Sequence, residues 1–175
     1  MESSIDLNGF ISSVIKRSYD WIKLACDDLT EDQMHYQSTP DSNSIAWMVW
    51  HSSRIKDQVT ASIVGESEVW LADGWAERFG IAPEANGIGD RPEQVTSFRV
   101  RSDFLLGYAD AAHNVTIQRL SKILPAQLAQ PSRYVLGDTR PVWRSLQGML
   151  GDAYSHAAQV SYLRGMITGY GWRDT

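Results

Sequence analysis

Between Leu146 and Ile167, Leu146, Met149, Val160, Leu163 and Ile167 recur at steps of three and four, and the same stripe carries Asp152 and His156. The spacing predicts a long amphipathic helix whose core-facing side is interrupted by a carboxylate and an imidazole one turn apart. A buried, unpaired carboxylate is costly, so Asp152 must meet a proton, a hydrogen-bond partner or a metal ion. The two groups can close on a single cation or form a simple internal hydrogen-bonded couple.

Three more segments have helical periodicity and comparable length. The first runs from about Leu7 to Cys26, with Phe10, Val14, Ile15, Tyr19, Ile22 and Cys26 on one side. The second follows the capping residues Ser42, Asn43 and Ser44, carries Ile45, Met48, His51, Ile55 and Val59, and stops at Gly65. The third starts near Ser102 and reaches Leu124 before Pro125. The fourth, already described, begins around Pro141 and continues to about Thr168. Four such segments predict an all-α four-helix bundle forming one domain over residues 1–175. The connection from Gly65 to Arg101 is long for a bundle and holds a short helix in VWLADGWAERFG, then a loop rich in Gly, Pro and Asn. The alternating stretch from Ser132 to Leu136 stands alone, so no sheet is expected.

A formal charge of −5, without a basic run or basic helix stripe, argues against nucleic acid or an anionic membrane as partner. The single Cys26 excludes an internal disulfide and a Cys-rich zinc site, and makes the cytoplasm the expected compartment. No apolar run is long enough to span a bilayer, and the first residues do not read as a secretion signal. Gly-x-Ser-x-Gly turns and Gly-rich phosphate loops are absent, which leaves little for a covalent hydrolase or a nucleotide-dependent enzyme.

If the second helix packs beside the fourth, His51, Asp152 and His156 converge at mid-bundle, and two nitrogens with one oxygen leave a coordination position for water or substrate. A core His is often only a hydrogen-bonded structural residue, so the metal and the hydrogen-bonded readings both stand at this stage. His113, one turn from Asp110, is a rival or additional ligand, whereas His35 lies in a polar segment and is expected to be exposed. Trp47 and Trp50 flank His51, and Trp70 and Trp75 lie in the long connection, where they can line a pocket or simply pack the core. Arg78 and Arg164 are candidate anion binders, and Arg164 with Trp75 forms the candidate cofactor-binding pair.

The stretches NSIAWMVWHSSRIKD and DAYSHAAQVSYLRGMI, with the helix order, resemble the DinB-like superfamily, which includes YfiT-like metal-dependent hydrolases and the N-terminal domain of mycothiol-dependent maleylpyruvate isomerase. The resemblance implies a divalent metal, zinc or nickel, held by one His on the second helix and a pair on the fourth. His51 and His156 match two of those positions, and Asp152 stands where many members have His, as in the isomerase branch. Gln159 matches a position that can orient a ligand. The resemblance further implies a small-molecule substrate, a thiol cosubstrate such as mycothiol, bacillithiol or glutathione, and a homodimer. A metal-dependent thiol S-transferase or isomerase is the leading expectation. A metal-dependent hydrolase and a non-catalytic metal or small-ligand binding protein are the alternatives, and a non-haem iron oxygenase the remotest.

Overall fold

In the computed structural model, residues 6–169 and 171–172 are described. Four long helices make the frame: α1 (Leu7–Cys26), α3 (Ile45–Val64), α7 (Ser102–Leu120) and α8 (Val142–Thr168). The short helices α2 (Glu31–Met34), α4 (Val69–Ala72), α5 (Trp75–Phe79) and α6 (Pro92–Ser97) lie in the connections. α3 packs against α7 and α8, and α1 packs against the same two, so the long helices form a closed ring. None of the described helices is long and apolar enough to cross a membrane.

The helix ends follow local chemistry. Asp6 caps α1 by accepting from the Gly9 amide at 2.7 Å, and Ser44 caps α3 by accepting from the Trp47 amide at 3.2 Å. Gly65 ends α3 in the left-handed region at φ 73°, where a side chain would be strained. α7 stops at Leu120, short of the expected Leu124, because the residue before Pro125 is driven into an extended conformation. In α1 the buried stripe runs through Ile11, Ile15, Ser18, Tyr19 and Ile22, and Phe10 is 56 % exposed, so the expected inward position of Phe10 is corrected by one residue.

Three further details depart from the sequence reading. VWLADGWAERFG forms two short helices, because Gly74 takes a left-handed conformation between them. The polar stretch beginning at Pro92 adds α6. Ser132 lies in a small antiparallel hairpin, in which Pro131–Arg133 pairs with Thr139–Pro141. The second strand is only three residues long and leaves no alternation to detect.

The core has two apolar clusters, one at each end of the bundle. One gathers Trp50, Trp70, Tyr108, Leu105, Ala157 and Val160, and the other gathers Ile11, Ile15, Ile55, Leu120, Leu146 and Met149. Each long helix passes from one to the other, and the join is polar: His51 to Asp57 on α3, His113 and Thr116 on α7, Asp152 and His156 on α8. Sixteen of the twenty residues of α3 are buried, so its charged side chains must find partners inside the protein.

Two of them do so in a network that anchors the long connection. The Asp57 carboxylate accepts from the Val69 and Trp70 amides at the start of α4, at 3.0 and 2.9 Å, and from Arg119 Nη1 at 2.7 Å. Arg54 Nη1 lies 2.7 Å from Glu68 Oε2, and its Nε donates to the Ala85 carbonyl at 2.9 Å. Asp57 therefore serves two helices and balances buried Arg119. Asp57→Ala is expected to lower unfolding free energy in urea by about 3–5 kcal/mol, because it strands a buried guanidinium. Lys122→Ala, which removes an exposed partner of Glu66, is expected to leave the urea midpoint close to that of wild type.

Candidate metal centre

His51 comes from the middle of α3, and Asp152 and His156 from successive turns of α8, the helix packed beside it. His51 Nε2 lies 3.1 Å from Asp152 Oδ1, and His156 Nε2 lies 3.4 Å from the same oxygen. One ligand atom from each residue falls within 4.8 Å of the others, and among the described residues this is the group of His and acidic side chains placed to hold a metal ion.

Hydrogen bonds fix both rings. His51 Nδ1 donates to the Asn86 backbone carbonyl, and His156 Nδ1 donates to Gln159 Oε1 at 2.8 Å. With Nδ1 carrying the proton, each neutral imidazole turns its Nε2 lone pair toward the Asp152 carboxylate. Three electron-pair donors facing one another repel unless a cation, either a metal ion or protons on the rings, lies among them. Burial alone would push the Asp152 carboxyl up; with protons on both rings, hydrogen bonds from His156 and His51 and their charge hold it far below the usual carboxylate range. Asp152 Oδ2 is buried without a hydrogen-bond partner. The donor set, two imidazole nitrogens and one carboxylate oxygen, fits a divalent metal ion and leaves room in the coordination shell.

The Gly-rich part of the long connection closes over His51. Trp47 stacks on the His51 ring at 4.8 Å between centroids and 9° between planes, and its Nε1 donates to Asp90 Oδ2 at 2.9 Å. Asn86 Nδ2 donates to Gln58 Oε1 at 2.9 Å, fastening the loop to α3 from the other side. Gly87 lies between them at φ 87°, and a Cβ there would fall 2.7 Å from Trp47 Cζ2 and 2.9 Å from His51 Nδ1. Beside Gln159 a groove of about 420 Å³ opens between the start of α3 and α8, lined by Ser38, Ser42, Asn43, Met48, Tyr162 and Leu163 among others.

Other sequence candidates lie elsewhere. His113 stacks on Tyr19 with ring centroids 4.1 Å apart, outside the triad. His35, expected to be exposed, is half-buried and donates from Nε2 to the Val100 carbonyl at 3.1 Å. Trp50 and Trp70 pack with Phe98 and Tyr108 in the core. Trp75 packs against Tyr108 and covers Gly107, and the contacts found for it do not include the triad. Arg164 Nη1 donates to the Asp27 carbonyl at the end of α1, and Arg78 lies over the Trp75 ring. Burial pushes the Cys26 thiol up to about 12, so it is no nucleophile at neutral pH. Sequence reasoning missed Asn86, which acts through its backbone carbonyl; the Asn86-Gly87 turn was its one visible signal.

The fold and the site together define a helical bundle in which two His and one Asp side chain are placed to hold a metal ion. A sequence profile described as the DinB superfamily matches residues 16–160, and the chain belongs to that superfamily. Its fold is similar to that in the crystal structure of the conserved protein of locus from Enterococcus faecalis, with a TM-score of 0.83 at 20 % identity, covering 95 % of this chain and 99 % of that one. No match was found among curated proteins.

Gly87→Ala is expected to displace the loop from His51 and Trp47, destabilising the protein by about 1–3 kcal/mol in thermal or chemical unfolding. The accompanying change in Trp47 environment should alter intrinsic fluorescence, and wild-type stability with an unchanged spectrum would show that the loop does not clamp the site.

Proposed function

We propose that this protein binds one divalent metal ion through His51 Nε2, Asp152 Oδ1 and His156 Nε2, and uses it in thiol transfer or isomerisation of a small electrophile. The observation that supports this reading best is the convergence of three electron-pair donors whose ring tautomers are already set by Asn86 and Gln159. When bound, the metal would supply Lewis acidity, keeping a low-molecular-weight thiol as its nucleophilic thiolate at neutral pH.

The protein's own groups have separate tasks in this reading. His51 and Asp152 join α3 to α8, and Asn86 and Gln159 stop the imidazoles from rotating. Trp47 shields one face of His51 from water. The groove beside Gln159 has the volume of a small-molecule site, and its lining mixes hydroxyl and amide groups with Met48, Tyr162 and Leu163. Because the Cys26 thiol is buried and protonated, the sulfur nucleophile comes from a cosubstrate such as mycothiol, bacillithiol or glutathione.

Elemental analysis after chelation and reloading should find about one metal ion per wild-type chain, and a loss of that ion in His51→Ala, Asp152→Ala and His156→Ala with helix content retained. Gln159→Leu should keep the ligands and weaken metal binding by about 10–100-fold, because the His156 ring loses its orienting acceptor. Loaded protein should then consume an electrophile only when a thiol is added. Turnover without thiol would favour a hydrolase, and full metal content in the His156→Ala protein would overturn the ligand assignment.

A further inference from the structure

A second cavity, of about 470 Å³, opens between the long connection and the hairpin, and none of its lining residues belongs to the triad or to the groove beside Gln159. Both of its walls are fastened to α3. Ser62 Oγ donates to the Arg133 carbonyl at 2.7 Å on the hairpin side, and Gln58 Oε1 accepts from Asn86 Nδ2 at 2.9 Å on the connection side. The hairpin is also braced against α8. Ser132 Oγ lies 3.1 Å from Ser145 Oγ, and a Cβ on Gly148 would fall 2.5 Å from the Tyr134 hydroxyl. The connection is held by Arg54, which bonds Glu68 and the Ala85 carbonyl, and by Trp70 Nε1, which donates to the Pro83 carbonyl at 3.1 Å. The cavity is thus a space between two anchored walls, with the volume of a small-molecule site.

The two walls carry opposite charge. The hairpin contributes Arg133, and the connection contributes Glu68 and Glu84. Glu68 is neutralised by the buried guanidinium of Arg54, 2.7 Å away. Arg133 and Glu84 are exposed, and neither side chain forms an ion pair or a hydrogen bond among the described residues. The Tyr134 hydroxyl has no hydrogen-bond partner there either, although Arg140 lies 3.7 Å over its ring. Leu71, Pro83 and Val135 give the lining its apolar part.

An inorganic ion in such a space would meet its own sign on one wall, and an uncharged molecule would leave both charges unmatched. A molecule with a cation at one end and an anion at the other satisfies both walls. A single amino acid carries its two charges on one carbon, whereas the ends of a dipeptide are separated and can face opposite walls. We propose that this cavity binds a dipeptide-sized zwitterion with an apolar body, its carboxylate on Arg133 and its ammonium on Glu84. The Tyr134 hydroxyl and the Gln58 amide are then the groups that meet its peptide bond, and Leu71, Pro83 and Val135 receive its side chains.

The test is calorimetric titration of L-leucyl-L-leucine into the chelated full-length protein at pH 7. Chelation keeps the peptide from being drawn to a metal ion, so the result stands apart from the metal reading. Wild type should bind one peptide per chain. N-acetyl-L-leucyl-L-leucine, L-leucyl-L-leucinamide and L-leucine should each bind about tenfold more weakly, since each loses one charge-assisted contact. Arg133→Ala should weaken the dipeptide about tenfold and leave the amide unaffected, and Glu84→Gln should do the same with the acetylated peptide as the insensitive ligand. Both substitutions change exposed side chains and keep the Arg133 carbonyl that Ser62 holds, so melting temperature should stay at the wild-type value. No saturable binding of the dipeptide, equal binding of the blocked peptides or of leucine, or full affinity in both variants would overturn the assignment.

Discussion

A charge buried in a helical bundle must be neutralised by its neighbours, and α3 buries His51, Arg54, Lys56 and Asp57 within two turns. Because these side chains point in different directions around one helix, they recruit different partners. Arg54 and Asp57 draw in α4, α7 and the loop before α6; His51 draws in α8 and Asn86; Lys56 is buried with its Nζ over the Tyr19 ring of α1. The arrangement of the long connection over the bundle follows from meeting these demands.

The polar layer divides into a satisfied part and an unsatisfied part. Asp57 has both oxygens occupied and Arg119 has five acceptors around its guanidinium, the condition of a network that stabilises one arrangement of the chain. Asp152 Oδ2 and Lys56 Nζ have no partner, and the two Nε2 atoms converge on one oxygen. Local rules of satisfaction fail where a fold is put to use. Ser52 Oγ, His113 Nδ1 and Thr116 Oγ1 are buried without partners in the same layer, and rigid supports surround the triad: the Trp47 stack, the Asn86 carbonyl and the Gln159 amide.

Much of this was legible in the sequence because helical periodicity reports on burial. Asp152, His156 and His51 stood out as polar residues on apolar stripes; the extent of α1 followed from its period, that of α3 from capping residues and Gly65, and that of α8 from Pro141 at its start. Arg54, Lys56 and Asp57 escaped notice since charged residues on a helix ordinarily face solvent, and only the all-round burial of α3 turns them inward. Asn86 was invisible as an orienting group because its carbonyl acts, which any residue could supply. Phe10 misled for a simpler reason: adjacent apolar residues on one helix compete for the core, and Ile11 occupies the position that faces it. The hairpin strands were too short to show a period.

Anomalous diffraction from crystals of the protein loaded with zinc tests the central claim most directly. The account predicts a single strong peak about 2.0–2.2 Å from His51 Nε2, His156 Nε2 and a carboxylate oxygen of Asp152, with Nδ1 of each ring still held by Asn86 and Gln159. A triad without a peak under saturating zinc, with the two rings bonded directly to the carboxylate, would contradict it and leave the three residues as a structural hydrogen-bonded cluster.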